Sequence, residues 1–221
     1  MGSAISTTAA TLLGASKTFE LVMVGLDDAG KTSLVNRLKR RELPRGVLPA
    51  TITTIGASFL SLASVLFKGI NWIGSTIETI SYGRHSVTIW EFGGLDKVRP
   101  LWRRYFWHAH AFVFLVDAAA PARFPEAKEE LTRMWEGTSD THPVLVLANK
   151  IDLAGAVELS VIEEALGVPE LAKSGRTIGV KGVSALTGEG LNEALGWFVE
   201  NISHQFIAET DEAKKHVVQA W

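Results

Sequence analysis

Apolar residues along this chain fall into short runs that are typical of buried strands. Six such runs predict strands at residues 19–24, 76–82, 86–91, 111–117, 143–148 and 177–183. Between most of them, apolar positions recur every three or four residues and predict helices at 33–39, 126–136, 160–166 and 191–202. Ser160 followed by Glu163 also indicates a capping box at the start of the third helix. Strands that alternate with helices favour an α/β fold with a doubly wound, mostly parallel six-stranded sheet flanked by helices.

The turn after the first predicted strand carries the clearest chemical signal. Residues 25–32 read Gly-Leu-Asp-Asp-Ala-Gly-Lys-Thr and match the phosphate-binding loop pattern GxxxxGK[ST]. A strand before this loop and a helix after it direct backbone N–H groups and the helix dipole at one point. A chance match in an ordinary glycine turn is the competing interpretation, which the flanking strand and helix disfavour. The pattern therefore predicts a P-loop NTPase fold, in which Lys31 reaches the outer phosphates and the Thr32 hydroxyl binds Mg²⁺.

Composition narrows the function classes further. The chain has 221 residues, 47% of them hydrophobic, and a formal net charge of −2, so a packed core is expected and nucleic-acid binding is not. The absence of cysteine excludes disulfides and thiolate metal sites. No apolar run reaches the roughly 18 to 20 residues of a membrane span, and the first residues lack the pattern of a secretory signal.

The first six residues match the N-myristoylation pattern, with Gly2 as the acceptor. We therefore expect three parts along the chain. An N-terminal arm at residues 1–18 could carry the lipid, a nucleotide-binding domain would occupy residues 19–202, and a polar tail would follow at residues 203–221.

A second motif indicates which base is bound. Residues 144–148 form a buried-strand run that ends in Asn149-Lys150-Ile151-Asp152, which resembles the NKxD signature of GTP-binding proteins. The Asp152 carboxylate can accept hydrogen bonds from both N1–H and N2–H of guanine, which adenine cannot offer together. The Lys150 stem would lie across the base, and Asn149 would tie neighbouring loops. A second loop, Ser184-Ala185-Leu186, resembles the SAK-type loop in which the Ala185 N–H meets guanine O6.

The stretch at residues 90–102 narrows the family. It reads Trp-Glu-Phe-Gly-Gly-Leu-Asp-Lys-Val-Arg-Pro-Leu-Trp and resembles the WDxGGQxxxRPLW stretch of the ADP-ribosylation-factor (Arf) and Arf-like small GTPases. The resemblance runs over residues 19–202 and implies a GTP/GDP switch in membrane trafficking. It implies that the Gly94 N–H meets the γ-phosphate, that Thr54 closes over Mg²⁺, and that Trp90 and Tyr105 face effectors. The other nucleotide contacts would come from Asp28, Ala29, Gly30, Lys31, Thr32, Ser33, Asn149, Lys150, Asp152, Ser184, Ala185 and Leu186.

The same resemblance implies a set of partners. These are guanine-nucleotide exchange factors, GTPase-activating proteins and effectors, bound by a monomer. A myristoylated Gly2 would give the cytoplasmic protein a reversible association with the cytosolic face of an endomembrane such as the Golgi. Nucleic acid is not expected among the partners.

Two substitutions depart from the family pattern. Leu95 stands where the family has the glutamine that orients the attacking water, and an aliphatic side chain offers neither donor nor acceptor. Slow intrinsic hydrolysis and a bias towards the GTP form are therefore expected. Glu91 replaces the aspartate that supports Mg²⁺ through water, so the carboxylate remains but is one methylene longer. We expect the metal site to be weakened rather than lost.

An insertion is the third departure. Residues 57–74 separate the switch threonine from the next strand, and apolar Phe59, Leu62, Leu66, Ile70 and Ile73 follow helical spacing. The segment is either an in-frame intron translated from a mistaken gene model, an amphipathic element for a membrane or partner, or an inert insertion. A smaller number of extra residues, relative to the family pattern, also lengthens the switch loop at residues 40–49.

Two functions therefore compete. The first is an Arf-like molecular switch with impaired hydrolysis, and the second is a GTP-binding scaffold that Leu95 and the insertion hold in one nucleotide state. An ATP-using P-loop kinase is disfavoured because residues 149–152 indicate guanine.

Overall fold

The structure is a computed structural model that describes residues 18–40, 75–82 and 85–202. Several predictions fall outside these ranges. They are the N-terminal arm up to residue 17 with its lipid acceptor Gly2, the lengthened loop beyond Arg40, the switch residue Thr54, the insertion at 57–74 and the tail at 203–221.

The predicted sheet is confirmed. Its strands are β1 (Thr18–Gly25), β2 (Ser75–Tyr82), β3 (His85–Phe92), β4 (Ala111–Asp117), β5 (Val144–Asn149) and β6 (Ile178–Val183). They form one six-stranded sheet in the order β2-β3-β1-β4-β5-β6. The β2–β3 pair is antiparallel and every other neighbouring pair is parallel. The carboxyl ends of the five parallel strands therefore lie along one edge, where a ligand site is expected.

Helices cover both faces of this sheet. The α-helices are α1 (Lys31–Lys39), α2 (Phe124–Glu136), α3 (Leu159–Leu166), α4 (Val168–Ala172) and a last helix, α5, at residues 191–202. In the described part of the chain, 3₁₀ segments occur at Arg99–His108 and Pro121–Arg123. Among the residues that the structure describes, no helix combines the length and apolar character needed to cross a bilayer.

Alternation along β1 divides the core in two. Leu21 and Met23 point to one face and Val22 and Val24 to the other, because successive strand residues alternate. The first face packs against α1 and the apolar stripe of α5 that the sequence predicts, which consists of Leu191, Leu195, Phe198 and Ile202. The second face packs against α2 and α3 through Leu131, Met134, Ile162 and Leu166. Burial on both faces fixes the strands that carry the site.

The predicted capping box at α3 is wrong. The helix begins one residue earlier, at Leu159, with Glu158 as the N-cap residue and no side-chain capping hydrogen bond. Burial of Ile162 and Leu166 against the sheet sets the start of this helix, and tertiary packing therefore overrides the local capping signal.

Candidate nucleotide-binding site

The phosphate loop joins the end of β1 to the start of α1. Gly25 and Gly30 have φ values of 144° and 92°, in the left-handed region that favours glycine. Gly30 is the N-cap residue of α1 and has no side chain with which to cap the helix. The first N–H groups of the helix therefore remain directed at the space above the loop, where they can bind an anion. Asp28 (φ 60°), Ala29 and Ser33 line the same turn and helix start.

Lys31 lies across this loop. Its Nζ donates hydrogen bonds to the carbonyl oxygens of Gly25 and Leu26 at 2.9 and 2.6 Å. Burial lowers the pKa of Lys31 to about 8, although the nearby Glu91 carboxylate acts in the opposite direction. The lysine is therefore held in place by backbone oxygens, and an anion that replaced them would favour its charged form.

A buried carboxylate lies beside the start of α1. Glu91, on β3, is 4% exposed and accepts a hydrogen bond through Oε1 from the Thr32 hydroxyl. Its Oε2 accepts a second hydrogen bond from the Thr76 hydroxyl on β2 at 2.7 Å. Thr76 is directly opposite Glu91 in the antiparallel β2–β3 pair. Both carboxylate oxygens are therefore fixed by threonine hydroxyls from different elements.

The switch glycine lies directly on the phosphate loop. A Cβ atom at Gly94 would overlap the peptide group between Leu26 and Asp27 and the carbonyl oxygen of Gly25. A side chain is therefore excluded at this position, and the backbone of residue 94 can approach whatever the loop binds. Leu95 follows, and its side chain is 43% exposed rather than part of the core.

The buried side chain of Arg99 holds the backbone of Gly94 in place. The Arg99 Nε donates to the Gly94 carbonyl at 2.7 Å, and its Nη2 lies 2.8 Å from carboxylate oxygens of Asp96 and Glu126. A second arginine, Arg123, donates to the Asp27 carboxylate at 2.8 Å. Burial alone would raise the pKa of Asp27, but the hydrogen bond and charge of Arg123 outweigh it and lower that pKa. The network links the phosphate loop, the segment after β3 and the start of α2.

The predicted base-binding residues, apart from Ser184, line one cavity. This cavity, of about 220 Å³, is lined by Gly30, Ser33, Asn149, Lys150, Asp152, Leu153, Ala185 and Leu186. The structure therefore brings together loops from residues 30–33, 149–153 and 185–186, which are far apart in the sequence. Leu186 is exposed at its rim, whereas Ala185 is buried.

Asn149 connects these loops. Its Nδ2 donates to the Ala29 carbonyl at 2.8 Å, and its Oδ1 accepts from the Ala185 N–H at 3.0 Å. The side chain is 1% exposed. Asn149 therefore ties the phosphate loop to the loop after β6, as the sequence predicts of a residue that ties neighbouring loops.

Two other predicted residues, Lys150 and Ser184, are held by hydrogen bonds to neighbouring protein groups. Lys150 has a positive φ of 68° and its Nζ contacts the Asp117 carboxylate at 2.6 Å, which holds the lysine stem beside the cavity. Ser184 is fully buried, and its Oγ accepts from the Thr187 N–H at 2.9 Å. The serine side chain therefore shapes the turn that presents Ala185.

Sequence reasoning missed Thr76, Asp117 and Arg123. Asp117 ends β4 and is paired with Asn149 in the parallel register. Its place at the carboxyl end of a buried strand is the signal that could have identified it. Thr76 and Arg123 offer no such signal, because Thr76 meets Glu91 only through the register of β2 and β3, and Asp27, which Arg123 contacts, is far away in the sequence.

The two predicted effector-facing residues lie on the β3 side of the sheet. The Trp90 Nε1 donates to the Glu20 carboxylate at 2.6 Å, and its ring lies 4.4 Å from that of His108. The Tyr105 ring lies 4.6 Å from Phe92. Both residues are partly buried, so packing accounts for part of each ring and the remainder is accessible.

Comparison with known proteins places these features in a family. The model of the ADP-ribosylation factor family matches residues 5–68 and 63–202. The two matched segments meet at residues 63–68, within the predicted insertion at 57–74. The solved structure of the Arl6 BBS3 small GTPase from Trypanosoma brucei, with the bound nucleotide analogue GppNp, is similar at a TM-score of 0.66 and 28% identity. That similarity covers 85% of this chain and 99% of the solved chain. This chain therefore belongs to the ADP-ribosylation factor family and is an Arf-like small GTPase, a GTP-binding switch.

Proposed function

We propose that this protein is an Arf-like switch with slow intrinsic GTP hydrolysis, which acts in trafficking at the cytosolic face of an endomembrane such as the Golgi. The observation that carries the proposal is Leu95 at the position of the family's catalytic glutamine. GTP hydrolysis requires a water held in line with the γ-phosphate, and a leucine side chain can neither donate nor accept a hydrogen bond to orient it.

Neighbouring carboxylates do not replace the missing amide. Asp96 is the next residue, and its carboxylate pairs with Arg99 at 2.8 Å. Asp27, in the phosphate loop, is engaged by Arg123 at 2.8 Å. Both carboxylates pair with arginines in this arrangement, and neither supplies the amide donor that the family's glutamine offers.

The residues present fit a Mg²⁺ ion bound with the nucleotide. The Thr32 hydroxyl donates its proton to Glu91, so the hydroxyl proton points at the carboxylate and the oxygen is of the kind that can accept a cation. Oxygen ligands of this kind suit Mg²⁺, and its charge would neutralise phosphate oxygens. We propose that Thr32 binds the ion, that Glu91 supports it through water, and that Thr54 completes the site in the GTP form.

Guanine recognition would use the cavity beside Asn149. Asp152 lines this cavity and carries the carboxylate that can accept from N1–H and N2–H, and Ala185 lines the same cavity. Lys150, held by Asp117, can place its aliphatic stem along the base. These contacts would bind GTP and GDP alike, so that the nucleotide state depends on exchange and hydrolysis.

The nucleotide content of freshly purified protein tests the proposal. The protein is extracted in Mg²⁺ buffer, denatured, and its released nucleotide separated by chromatography. We expect predominantly GTP in the wild-type protein and predominantly GDP in L95Q, because the restored amide can orient water. Predominantly GDP in both proteins would contradict slow hydrolysis.

A hydrolysis-deficient scaffold is the second candidate, and the same leucine favours it. A GTPase-activating protein can supply groups in trans that speed hydrolysis. A switch therefore releases phosphate when such proteins from the cell extract are added, whereas a scaffold keeps its GTP. Persistent GTP under these conditions would favour the scaffold.

A further inference from the structure

The position of the buried Glu91 carboxylate depends on the groups that hydrogen-bond to it. This carboxylate stands one methylene farther from the backbone than the aspartate of the family pattern, and it is 4% exposed. A buried carboxylate needs partners for its oxygens, because leaving them unsatisfied costs free energy. An extra methylene also adds a rotatable bond, so the position of the carboxylate depends on those partners.

Two hydroxyls provide the partners. Thr32 donates to Oε1 from the start of α1, and Thr76 donates to Oε2 from β2 at 2.7 Å. Thr76 and Glu91 are paired across the antiparallel strands, so their side chains share one face of the sheet. Strand pairing therefore holds the threonine hydroxyl in a fixed position relative to the glutamate backbone.

We propose that Thr76 is a positioning residue, which holds the longer Glu91 carboxylate against Thr32 so that a glutamate can support Mg²⁺ at this site. This inference rests on the proposed nucleotide and Mg²⁺ site. Without the Thr76 hydroxyl, Oε2 loses its donor and the glutamate can rotate away from Thr32. The Thr32 hydroxyl then loses the acceptor that directs its proton away from the metal.

The nearby Lys31 is also affected by this carboxylate. The charge of Glu91 acts to raise the pKa of Lys31, so the two groups interact directly by electrostatics. Thr76 follows the predicted insertion closely in the sequence, at the second residue of β2. Thr76 therefore connects β2, the strand that follows the predicted insertion, to the Glu91 carboxylate.

The test measures how Mg²⁺ slows the release of a fluorescent GDP analogue. Wild-type protein, T76V and T76S are loaded with the analogue, and release is followed over a range of free Mg²⁺ concentrations. A hydrogen bond to a charged group corresponds to a factor of roughly ten or more, so T76V should need about ten-fold more Mg²⁺ for half-maximal slowing. T76S keeps a hydroxyl and should restore most of the wild-type response.

T79V is the matched control. Thr79 lies on the same strand, and its hydroxyl contacts that of Thr88 at 3.2 Å rather than Glu91. T79V should therefore leave the Mg²⁺ dependence unchanged, although it makes the same threonine-to-valine change in the same strand. An equal shift in T79V would overturn the proposal, because the effect would then belong to the strand in general.

An E91D background separates positioning from stability. The shorter aspartate carboxylate should no longer reach Thr76, so adding T76V to E91D should change the Mg²⁺ dependence less than two-fold. If T76V alone folds poorly, the double variant still allows the test, because it leaves no buried glutamate without its partner. The same shift in both backgrounds, or a wild-type Mg²⁺ response in T76V, would overturn the role of Thr76 while leaving GTP binding intact. Release that does not depend on Mg²⁺ in wild-type protein would instead overturn the metal site and Thr76 with it.

Discussion

Replacing Asn149 with alanine should weaken the junction between the two halves of the site. The amide satisfies the Ala29 carbonyl at 2.8 Å and the Ala185 N–H at 3.0 Å, and the side chain is 1% exposed. Each buried group left without a partner costs about 1–3 kcal/mol, which gives roughly 2–6 kcal/mol for the pair. Water can enter the adjoining cavity and satisfy part of the loss, so we expect a destabilisation of about 2–4 kcal/mol.

Urea denaturation at several GDP concentrations measures this value. Bound GDP adds RT ln(1 + [GDP]/Kd) to the free energy of unfolding, so the concentration series separates intrinsic stability from nucleotide binding. N201A is the control, because the Asn201 side chain donates within its own helix, to the Trp197 carbonyl at 2.7 Å. That control should stay within about 1 kcal/mol of wild type. An intrinsic loss below about 0.5 kcal/mol in N149A would refute the account of Asn149 as the connection between the loops.

Three further changes test separate parts of the site. Burial lowers the pKa of Lys31 to about 8, and the phosphates should raise it again, so GDP binding above pH 8 should take up a proton. The affinity for GDP should then fall by at most about ten-fold per pH unit above pH 8. Calorimetry of GDP binding at pH 8.5 in two buffers of different ionisation enthalpy would detect the proton uptake, and equal binding heats in both buffers would contradict it. D152N exchanges an acceptor for a donor opposite N1–H and N2–H, so the GDP dissociation constant should rise about 100-fold or more while xanthosine diphosphate binds better. Unchanged preference for GDP in a competition assay would argue against guanine recognition by Asp152. G2A removes the proposed acyl acceptor and should move a fluorescent fusion from endomembranes to the cytosol, and membrane localisation that survives the change would exclude Gly2 as the anchor.

The structural features that could be predicted are those encoded by short, continuous stretches of sequence. The strand runs, the phosphate loop and residues 149–152 are local patterns, and the six-stranded sheet follows from the alternation of strands with helices. Each predicted strand agrees with an observed one to within one residue at each end, and the run at 111–117 matches β4 at both ends. Burial on both faces selects continuous apolar runs in the central strands such as β4 and β5. The cavity residues could be grouped for a related reason, since they follow the carboxyl ends of parallel strands.

The remaining parts depend on register and packing. The Thr76–Glu91 hydrogen bond requires the exact pairing of β2 with β3, which no local pattern specifies. The Arg99 and Arg123 network joins three elements through long side chains, and the α3 capping signal failed because core packing sets where that helix begins. The exposure of Leu95 likewise depends on how the segment after Gly94 rests on the phosphate loop.

Single-turnover hydrolysis is the most direct test of the central claim that Leu95 separates GTP binding from GTP hydrolysis. Wild-type protein and L95Q are loaded with GTP and phosphate release is followed with a phosphate sensor in Mg²⁺ buffer. Misplacing a reacting group can cost about 100-fold in rate, so we expect L95Q to release phosphate about 100-fold faster than wild type while binding GTP equally well. Equal rates in the two proteins would contradict the account.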